Sequence, residues 1–321
     1  MTTKFGIIGL GSISNRFAAM MKFVPGVELA AVAASDPARA QAFAQKHGAK
    51  KVHASYEDVI RDPDVDVVYN GLTNNFHYEF TKLCLENHKA VLCEKPLVAT
   101  QAEAEELAAL AKANQTFLME AMWTRCMPAF RKAKEWVKAG RIGEVKLITA
   151  NFSYRAEQDP ENRQFSPTLM GGSLFDVGIY PIDFATGILS EYPASVTGLA
   201  KISATGIDES DSVAMSFASG AMVSFNCGFT VEAANEAVVY GTKGHIVFED
   251  CYGPEWCEMY DEENHLLERF ADPVRDGFVF QIEHCAEMIN NGRLESDLMP
   301  LQDTVVSAGI FDTLRRQWGL A

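Results

Sequence analysis

Strand-like and helix-like stretches alternate six times over about the first 120 residues, with no hairpin signal between them, and nothing else in the chain limits its fold so tightly. The apolar run Lys4-Phe5-Gly6-Ile7-Ile8 opens the series, and Val27–Ala33, Val65–Tyr69, Ala90–Leu92 and Thr116–Glu120 continue it. Helical stretches separate them: 17–23, 38–47, one starting at Ser55, one near Phe76, and an Ala-rich one that runs from the capping box Thr100-Gln101-Ala102-Glu103 to Asn114. Strands joined through helices lie parallel, with the helices on both faces of the sheet. The pattern predicts an α/β chain whose residues 1–122 form a Rossmann-type, doubly wound parallel sheet.

Beyond that point the pattern changes. A helix is expected over 128–139 and a strand over 145–154, followed by a polar segment, 157–167, and an apolar helix from Leu174 to Ile188. Strand candidates then follow at 195–202, 211–217, 221–230, 237–241 and 246–249, with Ser219-Gly220 and Gly241-Thr242-Lys243-Gly244 as hairpin turns. Residues 123–321 therefore read as an α+β substrate-binding and oligomerisation domain on a mostly antiparallel open sheet. The alternation in Met222-Val223-Ser224-Phe225 leaves one sheet face for a second copy, and a homodimer is expected.

The formal net charge of -15 repels nucleic acid and acidic membrane surfaces. No apolar run is long enough to span a bilayer, and Met1-Thr2-Thr3-Lys4 enters the first strand without the pattern of a signal peptide, so a cytoplasmic location is expected. Seven scattered cysteines are odd in number and suit buried, reduced thiols better than a disulfide framework. Cys251, Cys257, His245 and His265 lack the close spacing of a structural zinc site, and no metal is expected.

Between the first strand and its helix lies Gly9-Leu10-Gly11-Ser12-Ile13-Ser14, a G-x-G-x-x-S variant of the dinucleotide fingerprint. The first glycine permits the tight turn, and the second lets backbone N–H groups of Ser12 and Ile13 approach a pyrophosphate at the helix N-terminus. Ser14 is small enough to stand for the third glycine. An NAD site places an acid at the end of the second strand. Here the strand-end position falls on Ala34, while Asp36 reads as the N-cap of the next helix and Pro37 as its first residue. Ser35 and Arg39 are then placed to receive a 2'-phosphate, which favours NADP; NAD remains the alternative if Asp36 takes the ribose. Cys93-Glu94-Lys95-Pro96 follows the apolar run Ala90-Val91-Leu92, at the edge where open α/β sheets bind ligands. Read alone, Lys95 is more often an ordinary surface charge.

Taken together, Gly9-Leu10-Gly11, Glu94-Lys95-Pro96 and Gly171-Gly172-Ser173-Leu174-Phe175-Asp176-Val177-Gly178-Ile179-Tyr180 resemble the Gfo/Idh/MocA oxidoreductase family, over essentially the whole chain. Met119-Glu120-Ala121-Met122-Trp123-Thr124-Arg125 and Gly178-Ile179-Tyr180 resemble the branch of the dimeric dihydrodiol dehydrogenases and NADP-dependent D-xylose dehydrogenases. The resemblance implies that Lys95 contacts the reacting hydroxyl and the cofactor, with Glu94 in support. It also implies that Asp176 and Tyr180 are the aspartate and the histidine-or-tyrosine of the second-domain motif. In the loop Leu72-Thr73-Asn74-Asn75-Phe76-His77, Asn74 and His77 match the family's Thr-Pro-Asn-x-x-His pattern and Leu72 does not. Leu72, Asn74 and His77 are expected beside the cofactor, with His77 a structural residue at the helix start. Trp123 and Arg125 are read as nicotinamide or phosphate contacts, against a buried aromatic and a surface cation. Asp183 is read as structural.

The expected chemistry is hydride transfer between nicotinamide and a sugar or vicinal diol. The Lys95 ammonium would stabilise the developing alkoxide, and Tyr180 would relay the proton. A free tyrosine titrates near ~10, and an adjacent ammonium favours its phenolate. Asp176, four residues before Tyr180, would orient it, Lys95 or a substrate hydroxyl. Two alternatives stand beside this reading: a catalytically silent cofactor-binding regulator, and an enzyme that holds its cofactor tightly and exchanges hydride between two sugars.

Overall fold

In the computed structural model, which describes residues 1–157, 159–273 and 276–320, the alternating runs pair as predicted. Strands β1 (Thr3–Ile8), β2 (Val27–Ala33), β3 (Lys51–Val52), β4 (Val67–Asn70), β5 (Ala90–Cys93) and β6 (Leu118–Glu120) form one sheet in the order β3-β2-β1-β4-β5-β6, every pair parallel. The order reverses between β1 and β4, the switch point at which doubly wound sheets bind ligands. Helices α1 (Ser12–Met21), α2 (Pro37–His47), α3 (Tyr56–Arg61), α4 (His77–Glu86) and α5 (Gln101–Ala113) are the crossovers. Their starts are written locally: Asp36, Ser55 and Thr100 each accept a backbone N–H as N-cap, and Thr100 closes the capping box with Glu103.

Two compact units result, Met1–Ala121 with Phe278–Val305 and Met122–Gly277 with Val306–Ala321. The sequence reading drew a single boundary after residue 122, whereas contacts return residues 278–305 to the first unit. Helix α8 (Phe278–Asn290) does this through side chains: the Arg16 guanidinium lies 4.1 Å over the Phe278 ring, and Asn290 Nδ2 donates to Thr3 Oγ1 at 3.1 Å.

The second unit begins with α6 (Pro128–Lys138) and β7 (Val145–Ser153). A π-helical turn, Leu174–Gly178, leads into α7 (Ile179–Leu189), whose residues from Ile179 to Ile188 are all buried. The sequence predicted one continuous helix here; the turn widens where Gly178 lies so close to β10 that a Cβ would sit 3.0 Å from Cys227 Sγ. Strands β8 (Pro193–Ile202), β9 (Asp208–Phe217), β10 (Met222–Gly228), β11 (Ala237–Gly241), β12 (Gly244–Phe248), β13 (Trp256–Tyr260) and β14 (Leu266–Ala271) complete a sheet ordered β14-β13-β12-β11-β7-β10-β9-β8. Only β10 with β7 is parallel; the other pairs are antiparallel, as expected. The last helix, α9 (Leu301–Trp318), crosses the boundary between the two sets of residues.

Period-two burial explains the second sheet. In β10, Val223, Phe225 and Cys227 point inward at 1% exposure each, while Met222, Ser224 and Asn226 face out. Each buried Val or Phe is worth about 1.5–3 kcal/mol, which fixes the register against a one-residue slip. The sequence reading passed over β13 and β14, and β14 shows why: Leu266 and Leu267 stay half exposed, so no buried face marks the strand. All seven cysteines are buried and outside disulfides, and no helix among the described residues is long and apolar enough to cross a membrane.

Candidate active site

In the first unit, the site is a row of strand ends. Ile8 is paired with Asn70, Asn70 with Cys93 and Cys93 with Glu120, so β1, β4, β5 and β6 finish level. The ladder continues one residue further, with Gly71 N donating to Ile8 O, Glu94 N to Asn70 O and Ala121 N to Cys93 O. Three loops therefore leave the sheet at one edge: Gly9–Gly11, 71–75 and Glu94–Pro96.

The glycine loop is shaped by what surrounds it. Gly9 has φ +78°, and a Cβ there would come within 2.7 Å of Leu72 N. Ser14 is fully buried and donates to Gly9 O at 2.5 Å, while its Oγ lies where a Cβ on Gly71 would fall, 2.2 Å away. A serine thus serves at the third fingerprint position because its hydroxyl is bonded back into the turn. Gly11 differs: its missing Cβ would meet nothing within 4 Å, and it caps α1 without a side-chain hydrogen bond or an acidic residue in the first turn. Backbone N–H groups at a bare, uncontested helix N-terminus, beside a glycine open to approach, fit the pyrophosphate of a dinucleotide.

Asp36 is the α2 N-cap, accepting from Ala38 N at 2.9 Å, with Pro37 next. Ala34 is buried just past β2, and Ser35 and Arg39 are exposed. His77 is 1% exposed and ties two loops together, Nδ1 lying 2.7 Å from Pro96 O and Nε2 3.0 Å from Leu72 O. It braces the lysine loop against the loop that carries Leu72 and Asn74, both partly exposed. Lys95 is partly exposed at the sheet edge, and the Lys95–Pro96 peptide is cis. Glu94 points inward: Tyr69 Oη donates to it at 2.5 Å, Tyr69 itself stacks on Phe17 at 3.7 Å, and burial raises the Glu94 carboxyl above its ordinary value. Glu120, also buried, takes Leu97 N and Thr304 Oγ1 and so pins the chain after Pro96.

In the second unit, Tyr180 and Asp176 are both nearly buried, at 8% and 7% exposure. The Trp123 indole N–H donates to Tyr180 Oη at 3.2 Å. Phe152 and Tyr252 complete an aromatic cluster, stacked on each other at 4.2 Å and lying 5.2 and 6.0 Å from the Tyr180 ring. Burial first, then the Asp250 carboxylate, pushes the Tyr252 hydroxyl up to about 12, which leaves it a neutral donor. Trp123 is held between backbones, since a Cβ on Gly253 or Gly277 would come within 2.2 or 2.6 Å of its ring. The Asp176 carboxylate accepts from Tyr154 Oη at 3.2 Å and from Arg163 at 3.2 and 3.3 Å.

Arg125 lies elsewhere than the sequence suggested. It is 1% exposed, 3.5 Å from Asp183 Oδ1, and donates to Thr186 Oγ1 at 3.0 Å, with its guanidinium filling the space above Gly187. A buried carboxylate, that of Asp183, thus faces the Arg125 charge from within the same unit. Tyr154, Arg163, Phe152, Tyr252 and Tyr69 escaped the sequence reading. Each sits on a strand or loop whose pairing partner is far away in the chain, and no local spacing marks it.

The family model described as the oxidoreductase family with NAD-binding Rossmann fold matches residues 3–122, and the GFO/IDH/MocA C-terminal domain model matches 130–247. A trans-1,2-dihydrobenzene-1,2-diol dehydrogenase of Xenopus tropicalis is 33% identical over 329 residues, covering 100% of this chain and 99% of that protein. Its Homo sapiens namesake is 32% identical over 332 residues, covering 100% and 98%. Among solved structures, the aldose-aldose oxidoreductase from Caulobacter crescentus, complexed with glycerol, shares the fold with a TM-score of 0.90 at 24% identity over 99% and 98% of the two chains. With its nicotinamide-dinucleotide fold in the first unit and the matching C-terminal domain in the second, the chain belongs to the Gfo/Idh/MocA oxidoreductase family.

Proposed function

We propose that this oxidoreductase transfers hydride between NADP and a sugar or vicinal diol, with Lys95 and Tyr180 handling the proton of the reacting hydroxyl and Asp176 in support. The observation that carries the reading is the level row of strand ends, which sends the Gly9–Gly11 loop and Lys95 out of one sheet edge. The named activity of the full-length relatives, oxidation of a vicinal diol, agrees with it. A bound nicotinamide supplies the hydride acceptor. The Lys95 ammonium stabilises the oxygen as alkoxide character grows, and Tyr180 takes up its proton. The Trp123 N–H, aimed at Tyr180 Oη, is a donor to the phenolate oxygen that Tyr180 must present before it takes up that proton. Asp176, held by Tyr154 and Arg163, is a positioned acceptor for a substrate hydroxyl.

NADP is preferred over NAD because Asp36 is engaged as a helix cap while Ser35, just past β2, and Arg39, in the first turn of α2, are exposed. A homodimer is supported by the outer face of the second sheet. Leu147, Met222 and Leu199 are 37%, 48% and 79% exposed there, around an open depression of about 320 Å³ lined by Leu199, Ser212, Ala214, Ser224 and Asn226. Seven buried cysteines outside disulfides suit the reducing cytoplasm.

The test is an NADP-linked screen of trans-dihydrodiols, aldoses and polyols with wild type, Lys95→Ala and Tyr180→Phe. Expected is turnover by wild type, and at least about a hundredfold loss in kcat for each variant with dinucleotide binding retained. Near wild-type turnover in both variants would remove the assignment. NADP binding without oxidation of any screened compound would favour the silent regulator, and cofactor that survives gel filtration would favour exchange between two sugars.

A further inference from the structure

The second unit buries two carboxyl groups that the proposed chemistry does not use. Asp208 is 0% and Asp211 3% exposed, both on β9 against the π-helical turn 174–178. Asp208 Oδ2 accepts the Leu174 N–H at 2.6 Å. The Ser173 hydroxyl lies 3.2 Å from that oxygen and 2.5 Å from Asp211 Oδ2, and Cys227 Sγ lies 3.3 Å from Asp211 Oδ2. Oδ1 of each carboxyl is buried, and the two groups converge on the one Ser173 hydroxyl. Gly172, at φ +127°, gives Asp208 its room, since a Cβ there would sit 2.4 Å from Oδ1.

Among the described residues, the groups that face the pair carry no positive charge. They are Ser173 and Leu174 from the turn, Gly172 before it and Cys227 from β10, while Ile202 and Ala200 are the register partners on β8. The nearest ion pair in sequence, Lys201 with Glu209 at 2.7 Å, holds its lysine on Glu209. The donors facing the four carboxyl oxygens, the Leu174 and Asp208 N–H groups, the Ser173 hydroxyl and the Cys227 thiol, are all neutral. Two anions buried together without a cation are strongly disfavoured, whereas one proton turns them into a hydrogen-bonded acid and carboxylate.

We infer that Asp208 and Asp211 share one retained proton and act together as a clamp that fixes the start of the π-helical turn and thereby Asp176, which makes them positioning residues for the reaction. This rests on the role given to Asp176 under the proposed function. The link is short: Asp176 N bonds back to Gly172 O at 3.1 Å, one turn from the Leu174 N–H that Asp208 holds. Burial first, and the neighbouring carboxylate second, push Asp211 up to about 8; burial raises Asp208 as well. The folded value lies above that of the unfolded chain, so the clamp's contribution to stability is complete below the ordinary carboxylate range. It is lost as pH rises through about 8.

The test uses the full chain and three variants, Asp211→Asn, Asp211→Ala and Asp176→Asn. Infrared spectra of wild type should show a protonated-carboxyl band at neutral pH that disappears under mildly alkaline conditions, in step with a falling melting temperature. Asp211→Asn, which substitutes a neutral isostere, should lack the band and melt independently of pH over that window. Amide exchange across 174–178 should quicken at least tenfold in Asp211→Ala, and in wild type relative to Asp211→Asn at alkaline pH. With trans-1,2-dihydrobenzene-1,2-diol and NADP, kcat of Asp211→Ala should fall about tenfold at unchanged KM for NADP. Asp211→Asn should restore much of that loss. If Asp211→Ala does not fold, Ser173→Ala takes its place in the exchange and kinetic measurements. Absence of the band, its persistence in Asp211→Asn, or unaltered exchange at 174–178 overturns the clamp. Should Asp176→Asn turn over normally while the band and exchange results hold, the role of Asp176 fails and the shared proton stands.

Discussion

Replacing Arg125 by methionine keeps most of the side-chain volume and leaves Asp183 as a buried carboxylate whose guanidinium partner is gone. The two groups are 1% and 0% exposed and 3.5 Å apart, so water cannot take over the lost interaction. Ser307 Oγ, 3.2 Å from Asp183 Oδ1, would still donate to it. Removing one member of such a pair costs about 3–5 kcal/mol. In a unit of this size each kcal/mol moves the melting temperature by about 2–4 °C, so Arg125→Met should melt about 6–20 °C below wild type. Asp183→Asn should also destabilise, because it removes the charge that Arg125 faces. The double variant should be more stable than the sum of the two by about 1–3 kcal/mol, the signature of direct coupling. Melting is read by scanning fluorimetry, and NADPH binding by fluorescence titration of each variant. The sequence alone offered Arg125 as a phosphate contact, and that role predicts the opposite pattern. An Arg125→Met protein that melts with wild type yet binds NADPH tenfold more weakly would refute the buried-pair account.

Gly71→Ala would place a Cβ 2.2 Å from Ser14 Oγ and 3.0 Å from Tyr69 Cε1; a loss of about 1–3 kcal/mol in urea unfolding is expected, partly relieved in a Ser14→Gly background. Arg39→Ala should weaken NADP about tenfold or more while leaving NAD nearly unchanged, since a charge-assisted hydrogen bond contributes about 1.5–3 kcal/mol; an unaltered ratio of the two dissociation constants would count against the 2'-phosphate role. Leu199→Glu, on the outer sheet face, should yield a monomer mass by light scattering where wild type yields a dimer, with a monomeric wild type sinking the interface outright.

Some of the site was readable one segment at a time. Gly9, Gly11 and Ser14 belong to a turn whose requirements are local: positive φ, space, and a small group bonded back to the chain. Asp36 and Pro37 announced the start of α2, and with it the fact that Asp36 is already engaged. Glu94 did not explain itself, because its partner Tyr69 lies 25 residues away on a neighbouring strand and only strand pairing brings them together. The glycines of Gly171-Gly172-Ser173 were legible as a motif, but the reason for Gly172 is Asp208, a carboxylate on another strand. For Arg125 the chain offered a phosphate contact or a surface cation, and no local signal announced its burial against Asp183.

What the sequence determined by itself were the features set by short-range physics: a parallel sheet from alternating strands and helices, helix starts from capping residues, a dinucleotide turn from glycine spacing, and a lysine at a strand end. Tertiary structure alone decided which polar groups are neutralised and by whom. It paired Arg125 with Asp183, Asp176 with Tyr154 and Arg163, Trp123 with Tyr180, and Asp208 with Asp211. It also returned α8 to the first unit. The reason is that the energy of a buried polar group depends on what replaces water around it, and those replacements come from segments far apart in the chain.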